Sequence, residues 1–115
     1  MKIALGQLNP VVGDLKGNSE LILKACLKAY SENADILFTP ELSLWGYPPQ
    51  DLLLNPLYIN EQWPILDEIV HRISTDTPNL ILFLGIAEPI DDLKTPCLYN
   101  SIVHINKSGW EVVAR

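Results

Sequence analysis

The sequence predicts an α/β protein built in layers, and three observations carry that reading. Short apolar runs alternate with segments of helical spacing, in the order β, α, β, α, β followed by a hairpin. The 115 residues are 48% hydrophobic and 19% charged, which supplies one core and falls short of two. No internal repeat, low-complexity tract or linker divides the chain.

Residues 2–8 (KIALGQL) are mostly apolar and end at Asn9-Pro10, so they read as a strand stopped by a residue that cannot extend a ladder. From Asn18 the period changes. Ile22, Cys26, Ala29 and Tyr30, with Leu23 and Leu27 beside them, recur at helical spacing, and Lys24, Lys28 and Glu32 fall on the other side. Asn18 or Ser19 is expected as the N-cap, with Glu20 in the first turn. Residues 34–38 form a short apolar run closed by Pro40, as in a strand buried on both faces. Residues 56–74 return to helical spacing through Leu66, Ile69, Val70 and Ile73; Pro64 should break or restart that helix. The run 79–88 (NLILFLGIAE) is a third strand. Residues 97–115 read as strand, turn, strand, with Asn106-Lys107-Ser108-Gly109 as the loop. Two helices are few to cover both faces of such a sheet, so a partner or further chain is expected to cover the rest.

Charge and composition narrow the function classes. Eight Lys plus Arg against 14 Asp plus Glu give a net charge of -6, with no basic footprint for nucleic acid or an anionic membrane. Two cysteines are too few for a disulfide framework, and the N-terminus lacks a secretory apolar stretch, which points to a cytoplasmic chain. No run approaches the roughly 18 apolar residues that span a bilayer. His71, His104, Cys26 and Cys97 are isolated and show no metal-ligand spacing, and no phosphate-cradling glycine motif occurs.

The chemistry concentrates at Glu41, placed directly behind Pro40 where an apolar strand ends. Its bland reading is an exposed turn or a helix-start acceptor. The alternative follows from the rule that α/β sheets bind ligands at the carboxyl ends of their strands, where a partly desolvated Glu has its pKa raised and serves as general base. Trp45 and Tyr47 are equally readable as pocket walls or as packing.

The stretch "FTPELSLWGYPPQDLLL" resembles the first catalytic motif of the nitrilase (carbon-nitrogen hydrolase) superfamily. Its tail, "GYPPQDLLL", is similar to a narrower group, the glutaminase domain of glutamine-dependent NAD synthetases. "ALGQLNPVVGDLKGN" at 4–18 and "LYNSIVHINKSG" at 98–109 resemble the opening strand and the Tyr-Asn-Ser strand of that group. The resemblance implies a four-layer αββα sandwich, of which residues 1–115 would be the N-terminal part, incomplete at its C-terminal side. It also implies a Glu-Lys-Cys triad: the Cys attacks the amide of glutamine, the Glu takes and returns its proton, and the Lys stabilises the oxyanion. Glu41 takes the place of the base, and Tyr47 that of a residue lining the glutamine pocket. Ammonia would pass to a downstream synthetase domain that amidates deamido-NAD. ATP and Mg would be bound there, no cofactor in this segment, and the assembly would be a homo-oligomer.

The family's Lys and Cys follow beyond "EVVAR" and are not among these residues. Lys94 lies in a loop and Lys107 in the hairpin turn, Cys26 on the apolar face of the first helix, and Cys97 behind Pro96 at the start of a strand. None occupies a catalytic position. His71 is expected on a solvated helix face and His104 in a sheet. Two further readings stand: another nitrilase-type amidase, and a non-catalytic truncated binding or assembly module. A half-finished sandwich should also expose apolar strand faces and self-associate.

Overall fold

The computed structural model describes residues 1–46, 56–89 and 98–115. Five strands form one mixed sheet in the order β1-β2-β3-β4-β5. They are β1 (Ile3–Leu5), β2 (Ile36–Phe38), β3 (Ile81–Pro89), β4 (Leu98–Asn106) and β5 (Gly109–Ala114). β1, β2 and β3 run parallel; β4 and β5 return antiparallel. The helices are α1 (Leu15–Ser31), between β1 and β2, and α2 (Pro56–Asn60) and α3 (Gln62–Asp76), between β2 and β3. Parallel neighbours joined through helices require crossovers of one hand, which places successive helices on the same side. Accordingly α1 packs on α3, and α3 also meets β4 and β5.

The helix-covered face holds the core. Leu37, Leu82, Leu84, Ile86, Val103 and Ile105 from the sheet pack with Ile22, Cys26, Leu66, Ile69 and Ile73 from the helices. Burying side chains of this kind stabilises by roughly 1.5–3 kcal/mol each before entropy is counted. Stacked Trp63 and Trp110 rings, 5.7 Å apart, clamp α3 to β5, and the Trp110 indole donates to Asp67 Oδ1 at 3.0 Å.

Among the described residues no helix covers the other face of the sheet. Strand alternation puts Ile3, Leu5, Phe38, Phe83, Ile102 and Val113 on it, and Leu5 is 77% exposed. The expectation that strand 34–38 is buried on both faces therefore fails among the described residues. Leu37 is buried and Phe38 exposed, because the described helices cover one side alone.

Three element boundaries also differ. The first strand ends at Leu5 rather than residue 8, and the second begins at Ile36 because Ala34 still belongs to the turn after α1. Helix α1 starts at Leu15, not Asn18. Asp14 is its N-cap, with its carboxylate accepting from Gly17 N at 3.0 Å, so Glu20 lies beyond the first turn. Asn18 is drawn away from capping by longer-range partners described below. Pro64 falls in the first turn of α3, after a break at Glu61, where its missing N–H leaves no intrahelical bond unmade.

Candidate active site

The parallel strands end at the site. After β2, Thr39 fixes the exit: its backbone N–H donates to Phe83 O at 3.0 Å and its hydroxyl donates to the same oxygen at 3.1 Å. The hydroxyl oxygen in turn accepts from Gly85 N at 3.4 Å. Pro40 cannot extend the ladder, and the chain crosses over β3 at Gly85. A β-carbon on Gly85 would stand 2.7 Å from Pro40 O, 2.5 Å from Leu42 N and 3.1 Å from the carbonyl carbon of Glu41. The absent side chain is what lets the turn lie against the sheet. A Gly in a strand interior signals such an approach.

The turn after Glu41 is tied on every side. Leu42 adopts φ 51, a left-handed conformation that side chains rarely take. It is held there by its buried side chain and by its carbonyl, which accepts from Trp45 N at 3.0 Å and Gly46 N at 2.9 Å. The Ser43 hydroxyl donates to Pro40 O, and Leu44 N donates to Gly85 O at 3.3 Å. Asn18, buried in α1, donates to both Leu44 O and Val11 O and accepts from Val11 N. Trp45, fully buried, donates its indole N–H to Gln62 Oε1 at 3.0 Å, and Gln62 donates on to Ala87 O at 2.5 Å. Gly46 follows at φ 78, against the backbone of Val12. Trp45 is thus packing, which resolves one of the two readings open for it.

Glu41 itself is exposed at the rim of a cavity of about 300 Å³ on the helix-free face, walled by Phe38, Phe83 and Ile102. Asn100, from β4, donates its side-chain amide to Glu41 Oε1. Arg115 borders the same cavity but is engaged by Glu88, with Nε to Oε1 at 2.5 Å and Nη2 to Oε2 at 3.2 Å, and lies over the Tyr99 ring. Hydrogen bonding to Glu88, reinforced by that carboxylate's charge, raises the Arg115 guanidinium above its ordinary pKa. The partly desolvated site expected for Glu41 is not found among the described residues: the cavity opens along the sheet face that no described helix covers.

Glu41 therefore lies where the sequence placed it, at the carboxyl end of a parallel strand. Tyr47, Lys94 and Cys97 lie outside the described residues. Cys26 is buried in the core, and burial pushes its thiol up to about 12, far from the thiolate a nucleophile needs. His71 is exposed on α3, and Lys107 is exposed in the hairpin turn. His104 stands edge-on to Phe83 at 5.4 Å. Among the described residues no group of three or more His, Cys, Asp or Glu side chains is placed to hold a metal, and no helix is long and apolar enough to cross a membrane. Sequence reasoning missed Asn100 and Gly85. The first stood in a recognised block without a role, and the second carried a strand-glycine signal.

Comparison with known proteins agrees with this geometry. The carbon-nitrogen hydrolase family profile matches residues 2–113. A glutamine-dependent NAD(+) synthetase of Aquifex aeolicus is 39% identical over 107 residues, covering 93% of this chain and 18% of its own length. One from Synechocystis sp. is 41% identical over 87 residues, covering 76% of this chain and 15% of its own. The chain thus spans less than a fifth of these relatives. Among solved structures, the glutamine-dependent NAD+ synthetase of Acinetobacter baumannii superposes with a TM-score of 0.78 and 25% identity, over 98% of this chain and 20% of that one. A nitrilase-superfamily amidase of Nesterenkonia superposes at 0.71 and 24% identity, over 99% of this chain and 41% of its own, and so shares the fold. With a profile match across almost its whole length and an α/β sheet that superposes on these structures, this chain belongs to the carbon-nitrogen hydrolase family.

Proposed function

We propose that residues 1–115 are the N-terminal part of the glutamine amidohydrolase domain of a glutamine-dependent NAD synthetase, a domain that continues beyond its C-terminal side. The observation that carries this reading is Glu41, set at the carboxyl end of β2 by the hollow at Gly85 and facing a cavity with an amide donor beside it. A carboxylate so held suits a general base working on a nucleophile delivered from elsewhere. Glutamine is the substrate, Tyr47 lines its pocket, and the ammonia released serves the ATP- and Mg-dependent amidation of deamido-NAD in a synthetase domain. The whole works in the cytoplasm as a homo-oligomer. That the relatives of highest identity described above are glutamine-dependent NAD synthetases favours this over another nitrilase-type amidase. A non-catalytic module is disfavoured by the cost of holding Leu42 in a left-handed turn directly after the acid.

The test is Glu41→Gln in the intact protein. Glutamine-dependent NAD formation should be abolished while ammonia-dependent synthesis survives; equal loss of both contradicts the reading. The 115-residue chain alone should form no thioester with a reactive glutamine analogue at either cysteine.

A further inference from the structure

We propose that Asn100 is the positioning residue of the base: it orients Glu41 through its amide and takes no proton itself. This rests on the reading of Glu41 as base given above. A glutamate carries three rotatable bonds, and Glu41 is exposed at the rim of an open cavity. What confines it here comes from β4. Ile102 pairs with Gly85 and Asn100 with Ala87, so Asn100 lies two residues along from Ile102 on the same helix-free face. That register carries its side chain to the turn seated over Gly85, where the amide donates to Glu41 Oε1.

The other polar groups of the cavity are committed elsewhere. The Thr39 hydroxyl is shared between Phe83 O and Gly85 N. Arg115 spends two nitrogens on Glu88, whose Oε1 also accepts from Ser101 at 3.4 Å. Among the described residues, Asn100 is the side chain that hydrogen-bonds Glu41.

The residue type fits the task. An amide donates without titrating, so it steadies a carboxylate and cannot compete for the proton that the carboxylate must accept. With Oε1 engaged, proton transfer falls to Oε2. The strand itself has little use for an exposed Asn, which pleated sheets disfavour. Gly85 gives the turn its seat and Asn100 gives the carboxylate its direction.

The experiment uses the intact protein and compares steady-state glutamine hydrolysis in Asn100→Ala, Asn100→Asp, Asn100→Gln and Glu41→Gln, with melting temperatures for each. Misplacing a catalytic group by about an ångström costs on the order of a hundredfold in rate, so Asn100→Ala should lose kcat by that order with KM within about twofold. Asn100→Asp, the same size, should fall further because two carboxylates then face each other; Asn100→Gln, which keeps the amide, should recover most of the lost rate. Asn100→Ala with wild-type kcat while Glu41→Gln is dead overturns the proposal and leaves the base assignment standing. Glu41→Gln with full activity overturns the base assignment, and this proposal with it. If Asn100→Ala does not fold, Asn100→Asp decides: lost kcat at an unchanged melting temperature supports positioning, and kcat within about twofold of wild type overturns it.

Discussion

Gly85 lies directly beneath the backbone of Glu41, so close that a β-carbon at residue 85 would stand 2.5 Å from the next amide nitrogen, Leu42 N. The neighbouring atoms are backbone, which cannot swing aside as the end of a flexible side chain can. Gly85→Ala should therefore displace the turn. Overpacking of this kind costs about 1–3 kcal/mol. Under the function proposed above, the variant in the intact protein should lose glutamine-dependent activity on the order of a hundredfold, with a lowered melting temperature. Normal activity at a normal melting temperature would show that the acid does not depend on this contact.

Gln62 bridges the Trp45 indole and Ala87 O while fully buried. Gln62→Leu keeps the bulk and leaves two buried polar groups unpaired, at about 1–3 kcal/mol for each. The urea midpoint should drop, and the near-ultraviolet signal of Trp45 should change because its ring loses its anchor. An unchanged midpoint would mean water replaces the amide.

Cys26 supplies a pH dependence whose sign is fixed. Its thiol is pushed from 9.0 to about 12 by burial. The folded chain therefore holds the proton when the unfolded chain has lost it, and stability falls as pH rises between these values. The contribution is complete below pH 9. Cys26→Ala should flatten the alkaline fall in melting temperature relative to wild type, at a cost of roughly 1–2 kcal/mol for the emptied space. In the native chain at pH 8 the thiol should resist alkylation until denaturant is added; prompt labelling would contradict its burial.

The bare sheet face bears on handling. With Ile3 and Leu5 on an edge strand and Phe38, Phe83, Ile102 and Val113 beside them, residues 1–115 alone should self-associate. Light scattering should show species above 12.9 kDa, fewer after Leu5→Lys. A clean monomer would argue that this face is tolerated in water.

Much of this was legible in the residues, for reasons that differ by element. Strand and helix periods located the elements, and Asn106-Lys107-Ser108-Gly109 located the hairpin, because those signals are local. The start of α1 was misread because Asn18 is a good cap by type, while three hydrogen bonds to Val11 and Leu44 claim its side chain. Glu41 could be found because Pro40 marks a strand's end. Its link to Asn100 could not, because the two residues stand 59 positions apart and meet only through the register between β3 and β4.

Asn18 has a wider effect than its place in a helix suggests. By gripping Val11 and Leu44 together, with Gly13 N donating to Trp45 O at 2.8 Å, it makes the N-terminal loop and the turn behind Glu41 a single cooperative unit. Neither half can fray without the other, so amides on both should exchange with solvent at a common rate. The turn that carries the acid is thereby tied to the helix layer as well as to the sheet on which it sits.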